Sequence, residues 1–126
     1  MLGCDIVEID RVKSGLENFK DRFVNKILSL REIEVFIKRG KKAEFLAGRF
    51  SAKEAVSKAF RTGIGGKLSF QDISILPDEN GALDVYINEV KRDDILVSIS
   101  HSKEYAIAVC ILKEGINECS SNFSGV

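Results

Sequence analysis

Apolar and polar positions recur with two different periods along this chain, and the change of period marks its elements. "MLGCDIVEI" is a short β-branched run that predicts a strand ending near Asp5 to Glu8. From about residue 11 to 39 the apolar residues Val12, Leu16, Phe19, Phe23, Ile27 and Leu28 recur at helical intervals among charges. Ser29 opens "SLREIEVFIKR" with Glu32 three positions on, the spelling of a capping box. Gly40 marks a break, and about Lys42 to Arg61 reads as one long helix. "LSFQDISILPD", "GALDVYIN", "ILVSIS" and "EYAIAVCIL" then read as strands, with Asn80-Gly81 in "PDENG" as a hairpin turn. "NEVKRDD" reads as a short helix or loop. A strand, then helices, then antiparallel strands is an α+β pattern. The long central helix is expected to pack on an antiparallel sheet, within one domain over 1–114. Residues 115–126 read as a loose C-terminal tail.

The long helix is not evenly amphipathic. On a wheel of ~100° per residue, Phe45, Ala52, Ala55, Val56, Ala59 and Phe60 gather on one side, the expected core side. Glu54 falls nearly opposite, with Lys58 about 40° from it. Leu46 and Phe50 sit on the flank with Lys53 and Ser57. An apolar pair there calls for a second contact, with another element, a ligand or another subunit.

Composition narrows the class. The chain has 126 residues, 44% hydrophobic and 30% charged, the balance of a soluble globular domain. Lys+Arg and Asp+Glu are both 19, so no net charge draws it to nucleic acid, and any basic patch is local. No apolar run approaches the ~18–20 residues that span a bilayer, and the N-terminus lacks a basic signal-peptide region. The three cysteines, Cys4, Cys110 and Cys119, have no zinc spacing. Cys4 and Cys110 read as small core hydrophobes, and the expected compartment is a reducing cytoplasm.

Candidate chemistry sits in three places. Glu54 and Lys58 lie one turn apart before "TGIGG"; alone, such a pair contributes only ~0.3–0.5 kcal/mol on a solvated helix. Gly63 and Gly65 let backbone amides approach an anion, yet they follow a helix, whose C-terminus repels anions; a glycine C-cap is the plainer reading. Asp5 interrupts an apolar strand. With Glu54 it would make a half-site for Mg²⁺, which takes one or two carboxylates and fills its shell with water and phosphate oxygens. His101, the chain's only histidine, stands at a strand-to-strand junction.

"GCDIVEIDRV" (3–12), "FLAGRFSAKEAVSKAFRTGIGG" (45–66) and "VSISHSKEYAIAV" (97–109) together resemble the three signature segments of the bacterial holo-[acyl-carrier-protein] synthases, the small 4′-phosphopantetheinyl transferases. The likeness covers roughly residues 2 to 113. It implies transfer of 4′-phosphopantetheine from coenzyme A to a serine of apo-acyl carrier protein in fatty acid biosynthesis, leaving adenosine 3′,5′-bisphosphate. It implies Mg²⁺ dependence and a homotrimer with active sites between subunits, the long helix and the strands after Leu68 lying near the interface. By the same resemblance Asp5 and Glu54 hold the metal and Lys58 binds the diphosphate. Arg49 and His101 contact the nucleotide end of coenzyme A, and Gly63 to Gly65 lie against pantetheine and phosphates. Arg11, Arg22 and Lys26 face the acidic carrier protein. Arg61 stands where many relatives have glycine, which implies a stiffer loop or an extra phosphate contact.

The resemblance gives each residue a task. Metal held by Asp5 and Glu54 neutralises the diphosphate, and Lys58 stabilises the leaving phosphate. Glu54 through a metal-bound water is the first choice of general base, with His101 the alternative. Two rival classes remain: a non-catalytic coenzyme-A-binding module, which has no use for Asp5 and Glu54 together, and an oligomerisation domain, which leaves Asp5 unexplained.

Overall fold

The computed structural model describes residues 1–61 and 68–113. Strand β1 (Leu2–Glu8) runs directly into α1 (Ile9–Phe19), followed by α2 (Asp21–Ile27), α3 (Leu30–Lys38) and α4 (Ala43–Phe60). A 3₁₀ turn (Phe70–Asp72) leads to β2 (Ile73–Pro77), β3 (Leu83–Ile87), β4 (Val90–Lys91), β5 (Ile95–His101) and β6 (Tyr105–Leu112). The strands form two antiparallel three-stranded sheets, ordered β1-β6-β5 and β2-β3-β4. The α+β expectation is met, and the C-terminal tail expected from residue 115 lies outside the described residues.

Local sequence accounts for most boundaries. Ser29 accepts from the Glu32 amide while the Glu32 carboxylate accepts from the Ser29 amide, so the capping box starts α3 as its spelling predicts. Gly40 takes a φ of 82° before α4, a conformation that favours glycine. Asp78 Oδ1 accepts from the amides of Asn80 and Ala82, and Gly81 has φ 85°, which makes the β2–β3 turn. Two boundaries differ from expectation. The helical region breaks at Lys20, whose φ is 48°. "NEVKRDD" supplies β4, because Asn88 and Glu89 both take positive φ and turn the chain back on β3.

α4 is the centre of the molecule. From Phe45 to Ala59 only Phe50, Glu54 and Lys58 are less than fully buried. One side packs Ala52, Ala55, Val56 and Ala59 against Ile73, Ile75, Val85, Ala108 and Cys110. The opposite side places Leu46 and Ala47 in a second cluster with Ile9, Val12, Val24, Ile27 and Phe36, and Phe50 packs on it. The second contact for Leu46 and Phe50 is therefore the chain's own α1–α3. Phe50 also meets the Phe70 ring at 5.4 Å. Leu46 is wholly buried by this contact, and Phe50 stays partly exposed at the edge of a surface hollow.

The β1-β6-β5 sheet turns alternate residues toward α4. Ala106, Ala108, Cys110 and Leu112 are buried, and Asp5 and Ile99 pair with Ala108 on that same side. Among the described residues no helix lies over the other side. Cys4 lies there exposed, which corrects its reading as a core residue; Cys110 is buried as expected, its thiol pushed up to about 11 by desolvation.

β1 reaches α4 closely because Gly3 has no side chain. A Cβ at Gly3 would stand 1.9 Å from the Ala55 carbonyl oxygen and 2.7 Å from the Ala59 nitrogen. These are backbone atoms of a buried helix and have nowhere to move. Gly3→Ala is expected to lower stability by about 3 kcal/mol or more through overpacking, measured by urea denaturation. A loss below about 0.5 kcal/mol would show that β1 can slide along α4 without cost.

Candidate active site

Two flanks of α4 carry the candidate chemistry. On the first, β1 lays Asp5 beside the last turns of the helix. Lys58 Nζ donates to Asp5 Oδ1 at 2.8 Å and to the Cys4 carbonyl at 3.1 Å. The lysine thus pairs with the strand carboxylate, not with Glu54 one turn before it. Its place in the last turn also suits the negative end of the helix dipole. The hydrogen bond to Asp5 is the leading cause that raises the Lys58 pKa. Glu54 lies near enough to feel both groups. Desolvation is the first cause that raises its carboxyl pKa, the Asp5 charge adds to it, and Lys58 opposes it.

This donor set fits a hard divalent ion. Two carboxylates that raise each other's energy, with a lysine already drawn in as counter-charge, form a place where a cation is favourable. Among the described residues no cluster of three or more His, Cys, Asp or Glu side chains exists. Asp5 and Glu54 would leave most of an ion's shell to water and phosphate oxygens, which is how Mg²⁺ is usually held.

The second flank is a groove of about 480 Å³. Arg39, Lys42, Arg49 and His101 line it, with Glu44 as its carboxylate. Lys42 and His101 continue into a shallower depression that includes Lys103. Arg49 is buried, and its guanidinium stacks over Phe45 at 4.3 Å. Nε donates to the Ile75 carbonyl at 2.9 Å, whereas Nη2 is buried with no partner among the described residues. Desolvation leads in lowering its pKa to about 10, with Glu32 opposing and Arg39 adding, so it stays charged at neutral pH. A buried guanidinium nitrogen without an acceptor, in a groove rich in cations, suits an anionic group such as a phosphate.

The structure thus brings Asp5, Glu54 and Lys58 together, and separately Arg49 and His101. Gly63 and Gly65 lie outside the described residues. Arg11, Arg22 and Lys26 are exposed on α1 and α2. Arg11 edges a hollow with Val7, Phe23 and Phe50. Arg61, expected to stiffen the loop or touch phosphate, is exposed and left-handed at φ 60°. Glycine is the residue that favours this conformation. Sequence reasoning missed Arg39, Lys42 and Lys103, although "KRGKK" at 38–42 is a visible basic run. It also missed Lys53, wholly buried with Glu32.

A family model described as the 4′-phosphopantetheinyl transferase superfamily matches residues 1–110. Holo-[acyl-carrier-protein] synthase of Bacillus subtilis is 44% identical over 114 residues, covering 89% of this chain and 93% of that protein. The crystal structure of the Helicobacter pylori holo-[acyl-carrier-protein] synthase in complex with coenzyme A superposes with a TM-score of 0.79 at 35% identity, covering 89% of this chain and 99% of that one. A Bacillus anthracis holo-(acyl-carrier-protein) synthase structure in complex with coenzyme A (3′,5′-ADP) gives 0.74 at 38% identity, with 88% and 93% covered.

The raised Glu54 pKa means that the folded protein holds this proton more tightly than the unfolded chain. The carboxyl therefore costs stability above its folded pKa, and the cost is relieved as pH falls through that value. Asp5→Asn removes the like charge and is expected to move the Glu54 titration midpoint down, read from its side-chain carboxyl carbon by NMR. An unchanged midpoint would mean that desolvation alone sets it.

Proposed function

The chain belongs to the 4′-phosphopantetheinyl transferase superfamily, and on that premise we propose that it transfers the 4′-phosphopantetheine group of coenzyme A to a serine of an apo-acyl carrier protein. The serine oxygen bonds to the phosphorus of the pantetheine phosphate, the P–O bond within the diphosphate breaks, and adenosine 3′,5′-bisphosphate leaves. The observation that carries this reading is the meeting of Asp5 with Glu54 and Lys58, 49 and 53 positions away in sequence, with a cationic groove on the other flank of the same helix. A binding module needs the groove but not two carboxylates.

Each side chain then has a task. Asp5 and Glu54 would hold Mg²⁺, which when bound supplies charge neutralisation at the diphosphate. Lys58, more than half exposed, can swing from Asp5 to the leaving phosphate and stabilise its growing charge. Glu54, acting through an intervening water, is the first choice of general base for the serine proton, with His101 the alternative. His101 stands in the cationic groove and serves the nucleotide end with Arg49.

The homotrimer belongs to the same proposal. Arg49 lies five residues before Glu54 and nine before Lys58, about 140° and 180° around the helix axis. One ligand that meets both flanks is most simply held between two copies of the chain. The side of the β1-β6-β5 sheet that faces away from α4 offers the surface for this: Leu2, Ile6, Leu96, Tyr105, Ile107 and Ile111 are all exposed there. An apolar sheet side of this kind marks an interface. The carrier protein docks at Arg11, Arg22 and Lys26, cations that suit an acidic partner. No helix among the described residues is long and apolar enough to cross a membrane. A cytoplasmic setting fits the free Cys110 thiol, and the holo-carrier product would feed fatty acid synthesis.

Incubation with coenzyme A, Mg²⁺ and an apo-carrier protein is expected to add one phosphopantetheine to the carrier, read by mass spectrometry. Asp5→Asn or Glu54→Gln should lower turnover at least about a hundredfold with the fold intact. No mass gain would reject the enzyme reading, and normal turnover by either variant at limiting Mg²⁺ would reject the shared metal site. In the same assay Arg11→Ala and Arg22→Ala should raise KM for the carrier more than for coenzyme A, less so in high salt. Equal changes for both substrates would move the docking surface elsewhere.

Ile107→Asp places a charge in the middle of the open sheet side. It is expected to yield a monomer by light scattering and to lose activity along with assembly. A fully active monomer would refute the shared-site assembly.

A further inference from the structure

Behind the groove lies a buried charge cluster that the chemistry above does not use. Glu32 and Lys53 have wholly buried side chains and form an ion pair. Lys53 Nζ also donates to the Ile27 carbonyl at 2.7 Å and the Phe70 carbonyl at 2.9 Å, so all three ammonium protons are taken. Glu32 Oε1 accepts from Lys53 and from the Ser29 amide. Oε2 accepts from the Ile75 amide at 2.9 Å and stands 3.9 Å from Arg49 Nε. Two cations thus share one carboxylate. The cluster carries one excess positive charge, and its one unpartnered polar atom among the described residues is the buried Nη2 of Arg49, a residue that lines the groove.

We propose that Lys53 is a positioning residue for anion binding: by holding Glu32 on one oxygen it keeps that carboxylate from neutralising Arg49, and so sets the strength with which the groove holds a phosphate group of a nucleotide. Without Lys53, Glu32 would have Arg49 as its only cation within the cluster, and the excess charge would vanish. Without the Glu32 charge, the excess stays at least as large, even if Lys53 gives up its proton. The two substitutions therefore act in opposite directions on the ligand. A scaffold role for the pair would move both in the same direction, because each leaves a buried partner uncompensated.

This proposal rests on the reading of the groove as a nucleotide site. Its test is calorimetric titration of the assembled protein with adenosine 3′,5′-bisphosphate, alongside thermal unfolding. Lys53→Met is expected to weaken binding about tenfold or more, the size expected for loss of a unit charge at short range in a desolvated site. Glu32→Gln is expected to bind at least as tightly as wild type, although both variants melt at lower temperature. Wild-type protein that does not bind the bisphosphate removes the groove reading and this proposal with it. Wild-type binding, with Lys53→Met equal to wild type or with both variants weakened alike, overturns this proposal alone. If Lys53→Met does not fold, Glu32→Gln decides by itself: affinity equal or higher supports the charge role, and lower affinity overturns it.

Discussion

The ion pair between Glu32 and Lys53 is the constraint on which the rest of the molecule depends. Its hydrogen bonds reach the end of α2 at Ile27, the start of α3 at Ser29, the 3₁₀ turn at Phe70 and strand β2 at Ile75. Those at Ile27 and Phe70 come from Lys53 on α4, and those at Ser29 and Ile75 are accepted by Glu32 on α3. An ammonium and a carboxylate in a dry interior are tolerable only when every remaining proton and lone pair is met, and removing one partner typically costs about 3–5 kcal/mol. A hydrophobic pair could fill the same space. It would not dictate that α2, α3, β2 and α4 meet in one register, nor leave a charge to share with Arg49.

That registry lets α4 be buried on nearly all sides and still carry chemistry. Helices α1–α3 close over Leu46 and Ala47, and the two sheets close over Ala52, Ala55, Val56 and Ala59. Two strips of the helix carry the candidate chemistry: Glu54 with Lys58 along the β1 edge, and Arg49, itself buried, beside the end of β5. Gly3 fixes the first strip, since only a residue without a side chain lets β1 come close enough for Asp5 to meet Lys58. Gly48 fixes the second in a similar way, with Ile99 Cγ2 3.0 Å from where its Cβ would stand.

The sequence shows the elements well where a single local cause creates them. Ser29 with Glu32 starts α3, Gly40 ends it, and Asn80-Gly81 turns β2 into β3. It misleads where the cause is distant. A helical wheel shows that Leu46 and Phe50 need a second contact but not what supplies it, and it gives Lys53 on the same flank no partner; both Leu46 and Lys53 are covered by elements whose positions the wheel does not contain. Cys4 and Cys110 occupy similar apolar runs, yet only pairing and the position of α4 decide that one faces outward and the other inward. The backbone reversal at Lys20 has no glycine or asparagine to announce it. The candidate site was legible as three motifs, but its division between two flanks was not, because that depends on which side of α4 each strand edge lies.

In "RFSAKEAVSKAF" the helical turn of ~100° per residue sorts neighbours in sequence into different environments. Lys53 is wholly buried while Glu54 beside it is partly exposed; Ser57 is buried while Lys58 beside it is exposed. Arg49 supplies the groove, Lys53 the buried cluster, Glu54 and Lys58 the carboxylate site, and the alanines between them the close approach of the sheet. These roles share one rigid helix, so a rotation or shift of α4 that improved one would misplace the others. On the proposed function, binding of an anion and activation of a hydroxyl would thus be coupled through the register of a single element. The buried ion pair, at the middle of that element, fixes the register.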